Sequence, residues 1–261
     1  MKLSILKLGL ALFALSPAVS FGEFTPGAGL LGTPHDFASA AGNGIVSTVT
    51  VGLCTYCHTP HKALSTQLLW NHTLSSNTFA WDVAKTTAGT TFPSIVGGTY
   101  KGPTAKCLSC HDGSVAVGDV AWFKEEARTG ANALTSLKMG EIDPVFVIAN
   151  GANMAGNHPV AMPYPAGNAV NTYNGTTTGS AAVLSDWRPD PTALASANIR
   201  LFNDDGTGAI TAGVVAGKTG IECSTCHDPH NKAAVDDFFL RGKAQGSTQA
   251  DGYLCLQCHI K

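Results

Sequence analysis

Apolar and polar positions alternate over only short distances along this chain. The one sustained apolar run, residues 8–15, follows Lys2 and Lys7 and leads into Ser16-Pro17-Ala18-Val19-Ser20. A basic start, a run of that length and small residues at its end read as a secretory signal peptide over residues 1–20. No later stretch approaches the roughly 18 continuous apolar residues that a membrane span needs. Residues 21–41 are rich in Gly and Pro and carry no helical or strand period. Residues 73–106 are polar, with Phe79, Trp81, Phe92 and Tyr100 spaced along them, and read as a loop pinned by aromatics. Residues 115–128 are predicted to form a short helix, Val120, Trp122 and Phe123 preceding Lys124-Glu125-Glu126. Farther on, Ile199-Arg200-Leu201-Phe202 reads as a strand entering the turn Asn203-Asp204-Asp205-Gly206, with Ile221-Glu222-Cys223 as its partner. The expected fold class is therefore mostly irregular, with short α-helices and little β.

Cysteine and histidine supply the regularity that the apolar positions lack. C-x-x-C-H occurs four times, at Cys54, Cys57 and His58, at Cys107, Cys110 and His111, at Cys223, Cys226 and His227, and at Cys255, Cys258 and His259. These copies consume all eight cysteines. In this motif two thiols add across the vinyl groups of a haem and the histidine ligates its iron. Four disulfides or zinc sites would also use paired cysteines. Neither explains a histidine after every second cysteine, a coincidence of roughly one in a million at this histidine content. The cofactor expected is four covalently bound haem c groups, and the chain is expected to wrap around them.

Charge changes the picture little. Only 13% of residues are charged, about half the usual fraction, and the formal net charge is −2 before any haem propionates are added. A sparsely charged, slightly acidic protein is not expected to bind nucleic acid. The roughly 240 residues left after cleavage are expected to form one tetrahaem domain, residues 21–261, built from two-haem units at 21–128 and 129–261.

That division follows from unequal motifs. The first and third read CTYCHTPH and CSTCHDPH, whereas the second and fourth read CLSCH and CLQCH, so one pair is repeated. Each half also carries an upstream histidine beside a proline, His35 and His158. Aligning Trp70 with Phe239 sets His72 opposite Arg241. Four proximal histidines (His58, His111, His227 and His259) need four distal partners, and five histidines remain: His35, His61, His72, His158 and His230. The repeat nominates His35, His61, His158 and His230, leaving His72 as the alternative. His61 and His230 each lie three residues after a proximal histidine and cannot pass the porphyrin edge, so each must serve a different haem. Met139, Met154 and Met162 are weaker axial candidates. The reach of the arm leaves His35 able either to fold back or to bridge to another molecule.

CTYCHTPH with LLWNH, CLSCHDGSVAVGD, NHPV, RLF before CSTCHDPH, and a closing CLQCH resemble the paired-motif multihaem c-type cytochromes of metal-reducing bacteria. Within these the chain is most similar to the outer-membrane branch that polymerises into extracellular filaments (nanowires). The resemblance implies four bis-histidine haems, one distal ligand coming from the adjacent subunit, and His35 is the residue matched to that role. It also implies a secreted electron carrier at the cell surface, a homopolymer exchanging electrons with other multihaem cytochromes and extracellular acceptors, and no enzyme. The alternatives are a monomeric periplasmic shuttle and a multihaem reductase, which would need one open haem face.

Overall fold

The computed structural model describes residues 24–38, 49–65, 67–179 and 181–260. The expected signal peptide lies outside the described residues. Helices are few and short. They are α1 (Pro103–His111), α2 (Met139–Ile142), α3 (Cys223–Cys226) and α4 (Leu254–Cys258), joined by several single 3-10 turns. Three of these four carry C-x-x-C motifs: α1 holds the second, α3 the third and α4 the fourth. No described helix is long and apolar enough to cross a membrane.

The expectation of little β is corrected. Helix and strand each account for 19% of the described residues, which form four antiparallel sheets. Two-stranded pairs join β1 (Thr78–Phe79) to β2 (Ile95–Val96), β3 (Val120–Phe123) to β4 (Glu126–Arg128), and β6 (Thr172–Tyr173) to β7 (Thr176–Thr177). A four-stranded sheet runs in the order β5 (Met162–Pro163), β10 (Thr219–Ile221), β8 (Phe202–Asp204), β9 (Ile210–Ala212). The helices are short as expected, but the mostly irregular, β-poor chain wrapped around the cofactors is not what the elements make. The physical reason is strand length, since runs of two to four residues are too short to display the period-2 alternation by which strands are recognised.

Two local readings change with it. Residues 120–128 are a hairpin rather than a helix, with Lys124 and Glu125 at its turn in the left-handed region at φ 49° and 67°. Two positive φ values are what a tight type I′ hairpin needs, and here neither is supplied by Gly or Asn. The predicted strand at residues 199–202 starts three residues later, and Thr219–Ile221 pairs with it, with Gly220 opposite Phe202. Residues 73–106 hold β1 and β2, with the Trp81 and Phe92 rings stacked at 4.8 Å.

The core is divided into small clusters. Phe79, Ile95, Leu108, Ala149, Met154 and Ala161 form one, and Val51, Tyr56, Val117, Val120 and Leu134 another. Met154 and Met162 are buried as packing residues, and Met139 lies at the start of α2. The two halves interlock across the 128/129 boundary: Gln67 Nε2 donates to the Ile210 carbonyl at 2.6 Å, Thr90 accepts from Gly179 N, and Glu222 reaches Thr104 N.

Candidate haem sites

The first and third motifs sit in one recurring local frame. After His58 the chain returns so that Thr59 N bonds to the Leu69 carbonyl and Asn71 N to Cys57; after His227, Asp228 N bonds to Phe239 and Arg241 N to Cys226. Leu68 and Leu69 adopt positive φ, as do Phe238 and Phe239. This frame aligns Trp70 with Leu240 and Asn71 with Arg241, which moves the sequence alignment by one residue; His72 stands opposite Gly242, not Arg241. The cause is one extra residue between motif and return in the second half, invisible where neither segment has a regular period.

The return also orients the proximal imidazole. His58 Nδ1 donates to the Leu68 carbonyl at 2.6 Å and His227 Nδ1 to Phe238 at 2.7 Å. His111 Nδ1 donates to Phe146 at 2.9 Å, while Trp187 lies on His259 with ring centroids 4.4 Å apart. Committing Nδ1–H to a carbonyl fixes the tautomer and leaves Nε2 as the free lone pair, the arrangement common to histidines that bind metals. His35 and His158 do the same, donating to Pro229 at 3.3 Å and Pro159 at 2.9 Å.

Three motif histidines each face a histidine from outside the motif. The ring centroids of His58 and His230 are 6.1 Å apart, those of His35 and His111 6.2 Å, and those of His158 and His259 6.4 Å. An iron held between two imidazoles needs two metal–nitrogen bonds of about 2 Å and a ring radius of about 1 Å on either side, close to these separations. The planes of His58 and His230 are nearly parallel, at 21°, and those of His158 and His259 are crossed at 68°. Burial and the neighbouring His111 push His35 down to about 4, and His111 and His230 are lowered as well, chiefly by burial. Neutral imidazole is the form that ligates. The donor set and spacing fit the group the motif implies.

Among the described residues no cluster of three or more His, Cys, Asp or Glu could hold a metal, and all eight cysteines are free. Cysteines of successive motifs approach one another. Cys57 interacts with Cys110, Cys107 hydrogen-bonds to Cys223, and Cys226 faces Cys255 and Cys258. Donation from Cys107 to Cys223 raises the first thiol and lowers the second.

His35 lies on its own chain rather than reaching away. Asn231, fully buried, takes Gly27 N on its Oδ1 and gives Nδ2 to the Thr25 and Gly29 carbonyls, while Phe24 and His35 both stack on Phe239 at 4.7 Å. Replacing Asn231 with Ala is expected to release this arm, which limited proteolysis of residues 24–38 would detect, and to separate His35 from His111. An arm that resists proteolysis in that variant would show that the aromatic stack alone holds it.

His72 is 1% exposed, and both its ring nitrogens face carbonyls, Nδ1 that of Thr73 at 2.8 Å and Nε2 that of Ala116 at 3.1 Å. Its Nε2 is also 3.4 Å from Cys110 Sγ. The expected result for His72→Ala is a loss of about 1–3 kcal/mol of stability, measured by denaturant unfolding, with the haem spectrum unchanged. His61, by contrast, is exposed.

Sequence reasoning did not find several residues that shape these sites. Arg241 is buried and donates to the Ser224, His227 and Asn198 carbonyls, with its other amine 3.5 Å from Asp228. Asn71 does the equivalent work in the first half, bridging Thr55 and Trp122. Their shared place in the repeat was the available signal, hidden by the one-residue offset. No family model matches this chain, and no curated protein matches it.

Proposed function

We propose that this protein is a secreted tetrahaem c-type cytochrome that carries electrons outside the cell, its four bis-histidine haems forming a hopping chain, and that copies of it polymerise end to end. One observation carries the reading: three motif histidines each stand 6.1–6.4 Å from a histidine outside the motifs. Haem iron supplies the one-electron chemistry. Histidines, three of them from its own chain and the fourth from a neighbouring copy, saturate the irons on both faces, which excludes small substrates and favours low potentials over catalysis. The approaches of Cys57 to Cys110, Cys107 to Cys223 and Cys226 to Cys258 support hopping in sequence order from the first motif to the fourth.

The repeat supports the polymer. His230, in the third motif's segment, caps the haem of the first motif through its face toward His58. His61 is the counterpart of His230, exposed in the first motif's segment, and His227 is the motif histidine with no histidine ring at the 6.1–6.4 Å of the other three among the described residues, His35 and His111 standing at Coulombic range of it. Continuing the internal pattern into the next molecule sets His61 of one copy against the His227 haem of another, a head-to-tail contact that propagates as a fibre unless it closes into a ring. In this reading the ligand given in trans is His61, and His35 acts within its own chain. Resemblance to filament-forming cytochromes points the same way.

The test is the ferric spectrum of assembled protein, which should be wholly low-spin, with little carbon monoxide binding after reduction. A large high-spin fraction that binds carbon monoxide quickly in the assembled state would favour a reductase.

A further inference from the structure

Glu222 has no part in holding a haem, yet it is 1% exposed and lies at the junction of the second and third motifs. It immediately precedes Cys223 at the start of α3 and reaches across to the start of α1, where one carboxylate oxygen accepts from Thr104 N at 2.9 Å. The other oxygen accepts from the hydroxyls of Tyr100 and Tyr173, the latter at 2.6 Å. Thr104 returns the contact by accepting from Cys223 N at 3.2 Å.

Two glycines make the room. A Cβ on Gly102 would lie 2.6 Å from the Glu222 carboxylate and 2.5 Å from the Tyr100 ring, and one on Gly220 would lie 2.3 Å from the Tyr173 ring. Cys107, one helical turn beyond Thr104, and Cys223 touch each other beside this cluster.

The groups facing Glu222 are Tyr100, Tyr173 and Thr104, with Lys106 and the two thiols at Coulombic range and Asp204 beyond Tyr173. Burial, the largest influence, pushes the Glu222 carboxyl above its ordinary range, while its three donors pull the other way and favour the anion. Three donors and no acceptor are the surroundings of a carboxylate anion. A charge held in so dry a place is poorly screened, and net charge beside a haem is one of the levers that set its potential.

We propose that Glu222 is the potential-setting residue of the two central haems, those carried by Cys107 and Cys110 and by Cys223 and Cys226. Its negative charge opposes arrival of an electron on either, so the middle of the hopping chain lies lower in potential than the carboxylate-free site would. This rests on the tetrahaem reading above.

The experiment is a spectropotentiometric titration of the full-length holoprotein, with haem count checked by intact mass. In Glu222→Gln two of the four redox components are expected to move about tenfold toward the reduced form, which is 59 mV for a one-electron couple. Tyr100→Phe keeps the carboxylate but removes a donor, and should give a smaller shift in the same direction that grows as pH falls and the carboxylate is protonated. Tyr100→Phe decides alone if the glutamine variant does not fold. Four haems with potentials unmoved in these variants, or all four moving equally, would overturn the assignment and leave the tetrahaem reading standing. Fewer than four haems in the wild-type protein would overturn both.

Discussion

The purified, processed chain is expected to be heavier than its polypeptide by four haems, and to keep them after denaturation in acid and organic solvent. The expectation rests on C-x-x-C-H chemistry, in which thioether bonds are covalent and survive unfolding, unlike axial ligation alone. Replacing Cys107 and Cys110 together by Ala should cost one haem of the four. Because the second motif stands between the first and third in the proposed order, this loss should slow electron passage between the first and third haems far more than removal of the fourth haem does. Zinc in the purified protein, or haem lost on denaturation, would sink the assignment.

The second large effect concerns His61. His61→Ala should give monomers in which one haem in four is high-spin, because the haem at His227 then lacks its sixth ligand. His227→Ala should also fail to polymerise, since its open face no longer matches an incoming His61. Mixed together, the two variants should form dimers and stop: one supplies an intact His227 haem, the other an intact His61, and neither product can extend. Analytical ultracentrifugation and electron microscopy would read this out. Normal filaments with four low-spin haems in His61→Ala would mean that His61 is a solvated surface histidine and that assembly has another basis.

Local chemistry was legible in the sequence and long-range geometry was not. The four C-x-x-C-H motifs are contained within five residues each, so spacing alone picks them out. Pairing of the histidines outside the motifs joins distant parts of the chain, His58 to His230 and His35 to His111, and no local pattern specifies which meets which. The β content was missed for a related reason. Strands as brief as Thr78–Phe79 exist only through their partners. The hairpin at residues 120–128 reads as a helix in the sequence because its turn uses Lys124 and Glu125 at positive φ without the Gly or Asn that usually announces one.

By itself, then, the sequence determined the reactive groups, their number and their duplication into two related halves, since these depend on covalent order. Tertiary structure decided the rest: which imidazoles face each other, that the arm bearing His35 docks through Asn231 onto its own chain, and that His72 is walled in by the Thr73 and Ala116 carbonyls. It also brought Glu222 under Tyr100 and Tyr173, residues far away in the chain. Such contacts depend on where short segments cross, and in a chain with so little periodic structure the crossings are set by many weak, distant interactions acting together rather than by any one stretch of residues.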